Sequence, residues 1–449
     1  MSLAKLAVAC IQAHAYDRDH FGEHWAFVVE MVERAAMRGA RLIVVPEGSV
    51  PGYVLGTAPV EPALLRQAER SLSHVARAHG AVIVYGTARV ADGATYNAAC
   101  VIGPDGGILG CAHKNFLWHF DRLWFAPGNA LEPIVTPLGS LGVLVCADGR
   151  IPTLARRLVD RGAQILVMPT AWVTSGRDPR NLENLQADLL ANVRARENGV
   201  PFVAANKVGT EARSVAYCGK SAIVAADGTF VARGGEREET IVYGEIEIGS
   251  AHPLRGPQLA APSERPDNAR AVRLAVSTAR SAEEIAELAR LAARADARGL
   301  IALGSSAAAE TSIPALDASG PPRRIASVAG ISFGVVDDAT IEDPAGLVAA
   351  RLGGIDAFCW VTEREPAWQK ALACARAAEL RAYVVVLDPR YGGRAFACDP
   401  DGTVVCGTFD DLRVAAFVYS AACTANTLAA PHTDILEGLR RVEEISGAR

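Results

Sequence analysis

L-G-V-L-V-C-A-D-G-R, residues 141–150, decides the fold: a short apolar run stops abruptly at a thiol, Cys146, and a polar turn follows. Two further stretches end the same way, R-L-I-V-V-P-E at 41–47 on the carboxylate of Glu47 and A-H-K-N-F at 112–116 around the ammonium of Lys114. Apolar runs of this length read as strands buried on both faces, and open α/β sheets present their chemistry at the carboxyl ends of such strands. Three reactive side chains at three strand ends predict one shared crevice.

The surrounding pattern alternates strands and helices. Strands are predicted at 6–12 and 41–46 around a helix at 21–39, in which Phe21, Trp25, Val28, Val29 and Val32 recur at helical spacing. A helix near 60–79, strands at 81–86 and 97–103, a turn at Pro104-Asp105-Gly106 and a strand near 108–111 come next. After Cys146 the pattern gives a helix at 151–161, a strand at 164–168, a long helix near 180–198 and a strand at 200–205. Strands near 221–225 and 241–247, with a turn at Asp227-Gly228, close this half as an α/β layered sandwich.

The chain has 449 residues, 50% of them hydrophobic, enough for two or more cores. A net charge of −5 supplies no basic field for nucleic acid, so a small-molecule substrate is the better expectation. Residues 3–13 have some signal-like character but read better as a first core strand, and no apolar run is long enough to span a bilayer. Ten cysteines without C-x-x-C pairs are expected to be reduced thiols in a cytoplasmic enzyme. No H-E-x-x-H, G-x-G-x-x-G or G-x-x-x-x-G-K-[ST] pattern occurs, and His113 and His119 belong to no ligand cluster, so neither metal nor cofactor is expected.

With V-A-C-I-Q-A at 8–13, P-G at 127–128, R-A-R-E-N at 194–198, A-N-K-V-G at 205–209 and G-K-S at 219–221, the first 250 residues resemble the nitrilase superfamily of carbon-nitrogen hydrolases. The resemblance implies a four-layer α-β-β-α sandwich and a Glu47-Lys114-Cys146 triad. Cys146 would be the nucleophile, Glu47 the base, and Lys114 with the backbone N–H of Ala147 the oxyanion donors. A thiol of ordinary pKa, about 8.5, needs such an activating neighbour.

Many relatives carry a second Glu before an F-x-x-G segment, here F-A-P-G at 125–128, and the match in this chain is Asp121, one methylene shorter. Asp121 either orients Lys114 or is an ordinary loop aspartate. Arg150 matches an arginine of relatives that act on carboxylate-bearing substrates; its rival role is to pair with Asp148. Trp172, in P-T-A-W at 169–172, either lines the pocket or packs in the core, and Tyr53 and Trp118 are further candidate substrate contacts. C-A-D-G-R lacks the Trp-Glu that follows the cysteine of true nitrilases, which points to the amidase and N-carbamoyl hydrolase branches. Nitrile hydrolysis and a non-catalytic binding or scaffold role are the competing readings.

Residues 1–251 thus form the expected catalytic domain, and 252–269, with four prolines and no periodicity, a linker. Residues 270–449 resemble an eroded second copy. A strand at 271–276, a helix at 282–297 and G-L-I-A-L-G-S at 299–305 repeat the order at 6–47, and I-S-F-G-V-V-D-D at 331–338 echoes 141–148. Segments 347–358 and 398–405 continue the match. Ser305 then stands for Glu47, Asp337 stands for Cys146, and the Lys114 segment has no counterpart. The alternative is two generic α/β domains. Since relatives pair two sandwiches, a duplicated chain implies an intrachain pseudo-dimer.

Overall fold

The computed structural model describes residues 4–57, 59–178, 180–259, 261–304, 314–318, 322–390, 394–408 and 412–447. They divide into two compact units, one of residues 1–253 with 430–433 and 441–449, the other of residues 254–429 with 434–440. The boundary expected at 251 is therefore incomplete, because the end of the chain groups partly with the first unit.

In the first unit β1 (Ala4–Gln12), α1 (Phe21–Met37), β2 (Leu42–Val50), α2 (Pro62–His79) and β3 (Val82–Ala91) alternate as expected. The hairpin β4 (Ala94–Ile102) and β5 (Ile108–His113) extends the sheet, giving the order β14-β1-β2-β3-β4-β5 with β14 at Thr240–Ile248. β1, β2 and β3 run parallel, and every residue of β2 is buried. The second sheet contains β6 (Ile134–Thr136), β7 (Gly139–Val143), β8 (Ile165–Pro169), β9 (Phe202–Ala205), β12 (Ala222–Val224) and β13 (Phe230–Arg233). Its order is β13-β12-β9-β8-β7-β6, with β7, β8 and β9 parallel. A separate hairpin, β10 (Val208–Glu211) with β11 (Val215–Cys218), was not expected.

Buried Phe21, Trp25, Val28, Met31, Val32, Ala35 and Ala36 form the stripe that seats α1 on the first sheet, and α2 lies beside it. β2 packs face to face with β8 and β9, while α3 (Pro152–Asp160) and α4 (Ala191–Asn198) cover the outer face of the second sheet. The four layers of an α-β-β-α sandwich are present. The helix expected over 180–198 is shorter: α4 begins at Ala191 after a π turn at Gln186–Leu190.

One expectation about cysteine fails. Cys100 and Cys111 face each other across β4 and β5 and are disulfide-bonded, so the ten cysteines are not all free thiols.

The second unit repeats this strand order on a smaller scale. β15 (Ala271–Ser277), α5 (Ala282–Arg294), β16 (Gly299–Ala302) and β17 (Ala315–Asp317) join β24 (Val414–Ser420) in a sheet ordered β17-β16-β15-β24. The second sheet is β18 (Arg324–Val328), β19 (Ile331–Val336), β20 (Ala357–Val361), β21 (Tyr383–Asp388), β22 (Arg394–Cys398) and β23 (Val404–Gly407), in that order. Among the described residues, no strands correspond to β4 and β5. α5 starts at a capping box in which Ser281 and Glu284 exchange side chain to backbone hydrogen bonds.

Aligning Gly142 with Gly334 matches the parallel pairs of the two second sheets. Gly142 pairs with Leu166 in the first and Gly334 with Phe358 in the second. The same shift carries Gly149 to Ile341, whose carbonyls accept from the buried guanidinium Nε of Arg194 at 3.0 Å and of Arg376 at 2.9 Å. Each arginine also pairs with a glutamate three residues on, Glu197 at 2.7 Å and Glu379 at 2.8 Å. Asp337, the residue set opposite Cys146 by the sequence resemblance, caps the helix at Asp338–Glu342 through Thr340. Ser305 lies outside the described residues.

The prolyl stretch expected as a linker is irregular, but from Leu254 onward it packs on the second unit. Leu259 is 2% exposed, and Asn268 donates to Asp356 at 2.7 Å. A Cβ on Gly334 would come within 2.6 Å of Leu259, so this contact depends on glycine there.

Candidate active site

Glu47 ends the apolar run of β2, three residues before the strand's last residue, Val50, and its backbone N–H donates to the carbonyl of Thr170, just past β8, at 3.3 Å. The carboxyl ends of two parallel strands from opposite sheets therefore meet at this residue. The neighbouring strand leaves no room beside it: a Cβ on Gly86 would lie 2.4 Å from the Glu47 Cα.

Glu47, Lys114 and Asp121 are all fully buried. Lys114 Nζ lies 2.8 Å from Glu47 Oε1 and 2.6 Å from Asp121 Oδ2. Asn97 Nδ2 donates to the same Glu47 Oε1 at 2.7 Å, whereas Oε2 is buried without a hydrogen-bond partner among the described residues. Tyr53 donates its hydroxyl proton to Asp121 Oδ1 at 2.8 Å, and the Trp118 N–H donates to Asp121 Oδ2 at 2.9 Å. Asp121 thus reaches Lys114 despite its shorter side chain.

Burial pulls the Lys114 ammonium pKa down, but Asp121 and Glu47, with Cys146, more than reverse this and hold it well above the ordinary lysine value. Lys114 is a fixed cation, suited to stabilising negative charge and unsuited to accepting a proton.

Cys146 follows β7 at φ 45°, in the left-handed region that non-glycine residues enter only when the surrounding fold holds them there. It opens a tight turn, Cys146–Arg150. The residue is 6% exposed, and burial pushes the thiol pKa well above the ordinary cysteine value; Glu47 pushes the same way, against Lys114 and the Thr170 and Ala171 groups beside it. Cys146 is therefore a neutral thiol at rest, and its reaction needs a base. We expect inactivation by iodoacetamide, a neutral alkylating agent, to accelerate continuously from pH 6 to pH 9. A plateau reached below pH 8 would mean a preformed thiolate.

Asp148 accepts from the backbone N–H groups of Asn115 at 3.0 Å and Phe116 at 2.7 Å through Oδ1, and from Val145 at 3.0 Å through Oδ2. It ties the Lys114 loop to the Cys146 turn. Burial raises its pKa to about 7, and those three N–H groups and Lys114 work against the rise.

Arg150 lies over the Trp118 ring, its guanidinium carbon 4.4 Å from the ring centroid. Ala147 is buried directly after the thiol. Trp172 is 1% exposed, and its backbone N–H donates to Asn206 Oδ1 at 2.7 Å; its indole N–H has no hydrogen-bond partner among the described residues.

Several supporting residues were not singled out from sequence: Asn97, Asp148 in its bridging role, and Glu211. Glu211 Oε1 accepts from the backbone N–H groups of Tyr53 at 2.8 Å and Val54 at 2.7 Å. Its Oε2 accepts from Lys207 at 3.1 Å and Tyr217 at 2.9 Å. Tyr53 is thereby held from behind. The A-N-K-V-G segment signals Lys207, but its partner four residues on sits in a hairpin. Among the described residues, no group of three or more His, Cys, Asp or Glu is placed to hold a metal ion.

A buried carboxylate, ammonium and thiol gathered at the strand ends of an α-β-β-α sandwich define a class of amide- and nitrile-cleaving proteins, and sequence comparison agrees. The carbon-nitrogen hydrolase family model matches residues 7–255, more than half of the chain, and the chain belongs to that family within the nitrilase superfamily. A probable nitrilase of Schizosaccharomyces pombe is 29% identical over 260 residues, 56% of this chain and 92% of that protein. An omega-amidase of Danio rerio is 30% identical over 260 residues, 55% and 90% of the two chains. Among solved structures, an amidase from Nesterenkonia sp. is 25% identical with a TM-score of 0.48, covering 55% of this chain and 91% of its own. The protein is a carbon-nitrogen hydrolase.

Proposed function

We propose that the protein hydrolyses a small linear amide or N-carbamoyl compound bearing a carboxylate, through a thioester on Cys146. The observation that carries this reading is the Glu47-Lys114-Asp121 ladder, sealed from solvent, beside a thiol that is neutral at rest.

Glu47 has one oxygen committed to Lys114 and Asn97, and the other, Oε2, takes the thiol proton. The sulfur attacks the carbonyl carbon, and the oxyanion is stabilised by the Lys114 ammonium and the Ala147 backbone N–H. Collapse of the tetrahedral intermediate expels ammonia or an amine, which receives the proton from Glu47. Water, deprotonated by Glu47, then attacks the thioester and releases the acid and the thiol.

Amide cleavage is preferred over nitrile cleavage because alanine and aspartate follow Cys146 in place of Trp-Glu. Supporting a carboxylate substrate, Arg150 is held over Trp118 on the Cys146 turn, where its planar fork suits a bidentate carboxylate. Ammonia release from matched panels of amides, carbamoyl amino acids and nitriles, each with and without a carboxylate, tests the assignment. Activity confined to nitriles would overturn it. Arg150→Leu is expected to raise KM about 10- to 100-fold for carboxylate substrates, the scale of a lost charged hydrogen bond, and to leave neutral amides unchanged. An equal effect on both would remove Arg150 from substrate recognition.

The second unit is read as a degenerate copy that acts as an intrachain partner. The repeated strand order and the two buried Arg-Glu pairs support this.

A further inference from the structure

The loop from Lys114 to Gly128, which carries Asp121, closes on itself where the Gly128 N–H donates to the Lys114 carbonyl at 2.7 Å. That bond shapes the loop without anchoring it. Asp148 holds its first residues, and the Ala126 N–H donates to the Thr95 carbonyl at 2.8 Å; two further anchors come from the far end of the sequence. The His119 N–H donates to Thr433 Oγ1 at 2.7 Å across 314 positions, and Arg441 Nη2 donates to the Gly128 carbonyl at 2.7 Å across 313.

Thr433 is fully buried, and its hydroxyl donates to the Pro431 carbonyl at 3.3 Å, which leaves an oxygen lone pair facing His119. His119 has φ 44°, a setting a non-glycine residue keeps only when the surroundings hold it. Two residues on, Asp121 meets Lys114 at 2.6 Å. Thr433 and Arg441 both group with the first unit.

We infer that Thr433 is a positioning residue for the hydrolase reaction: its hydroxyl fixes His119, and through it the Asp121 carboxylate that aims Lys114, while Arg441 secures the other end of the loop. The inference rests on the reading of Lys114 as oxyanion donor. Misplacement of a catalytic group by about 1 Å can cost about a hundredfold in rate. Loss of the Thr433 hydroxyl should lower kcat by roughly ten- to a hundredfold on that scale, with KM little changed, since no substrate contact is removed.

The test uses the full-length chain with Thr433→Val, which keeps the shape and removes the hydroxyl, and Thr433→Ser, which restores it. Steady-state kinetics and hydrogen exchange of the 116–128 segment are measured on both. The expected result is faster exchange and lower kcat at unchanged KM in Thr433→Val, both returned toward wild type in Thr433→Ser. Unchanged exchange, or faster exchange with unchanged kcat, would overturn the role. Hydrogen exchange needs no substrate, so if wild-type protein hydrolyses no amide, that failure belongs to the proposed function and the exchange result decides whether Thr433 anchors the loop. Should Thr433→Val not fold, Arg441→Met carries the same comparison with the same outcomes.

Discussion

Cys146→Ala is expected to reduce hydrolysis to background, a loss on the order of 10^4- to 10^6-fold, as for removal of the nucleophile in other covalent hydrolases. The fold should survive. The change removes one sulfur from a site that already admits a little solvent, and losses of this size cost on the order of 1–2 kcal/mol. The measurement is turnover of the purified variant beside its thermal unfolding curve. A folded variant that retains more than a few per cent of wild-type activity would exclude covalent catalysis at this position.

Lys114→Ala is expected to have the next largest effect, for two physical reasons that can be measured separately. Loss of an oxyanion donor costs about 10²- to 10³-fold in kcat. Lys114 is also the cation shared by two fully buried carboxylates, Glu47 at 2.8 Å and Asp121 at 2.6 Å. Removing one partner of a buried ion pair leaves uncompensated charge and costs about 3–5 kcal/mol. The variant should therefore unfold at markedly lower denaturant concentration as well as turn over slowly. Loss of activity with unchanged stability would mean that the carboxylates are neutralised by other means; loss of stability with normal kcat would remove Lys114 from the chemistry.

The elements that carry Glu47 and Cys146 were legible because strands of a parallel sheet read as unbroken apolar runs, so that these two residues stand out where those runs end. Asp121 was legible only by resemblance, since nothing in H-F-D-R-L-W-F says that its oxygens turn inward. The bridging role of Asp148 gives no such signal, since two of the three backbone N–H groups it accepts from lie 32 and 33 positions away. Such partnerships depend on how two loops meet, and no local pattern encodes that. The Cys100–Cys111 pairing does leave a signal: a hairpin turning at Pro104-Asp105-Gly106 brings these two residues opposite each other.

The central claim, a thioester on Cys146, is tested most directly by intact-protein and peptide mass spectrometry after rapid acid quench of the enzyme with excess amide substrate. The account predicts an added mass equal to the acyl group, on the peptide containing Cys146, that vanishes on longer incubation once substrate is consumed and never forms in Cys146→Ala. Rapid turnover with no acyl adduct at any quench time, or an adduct on another residue, would contradict it.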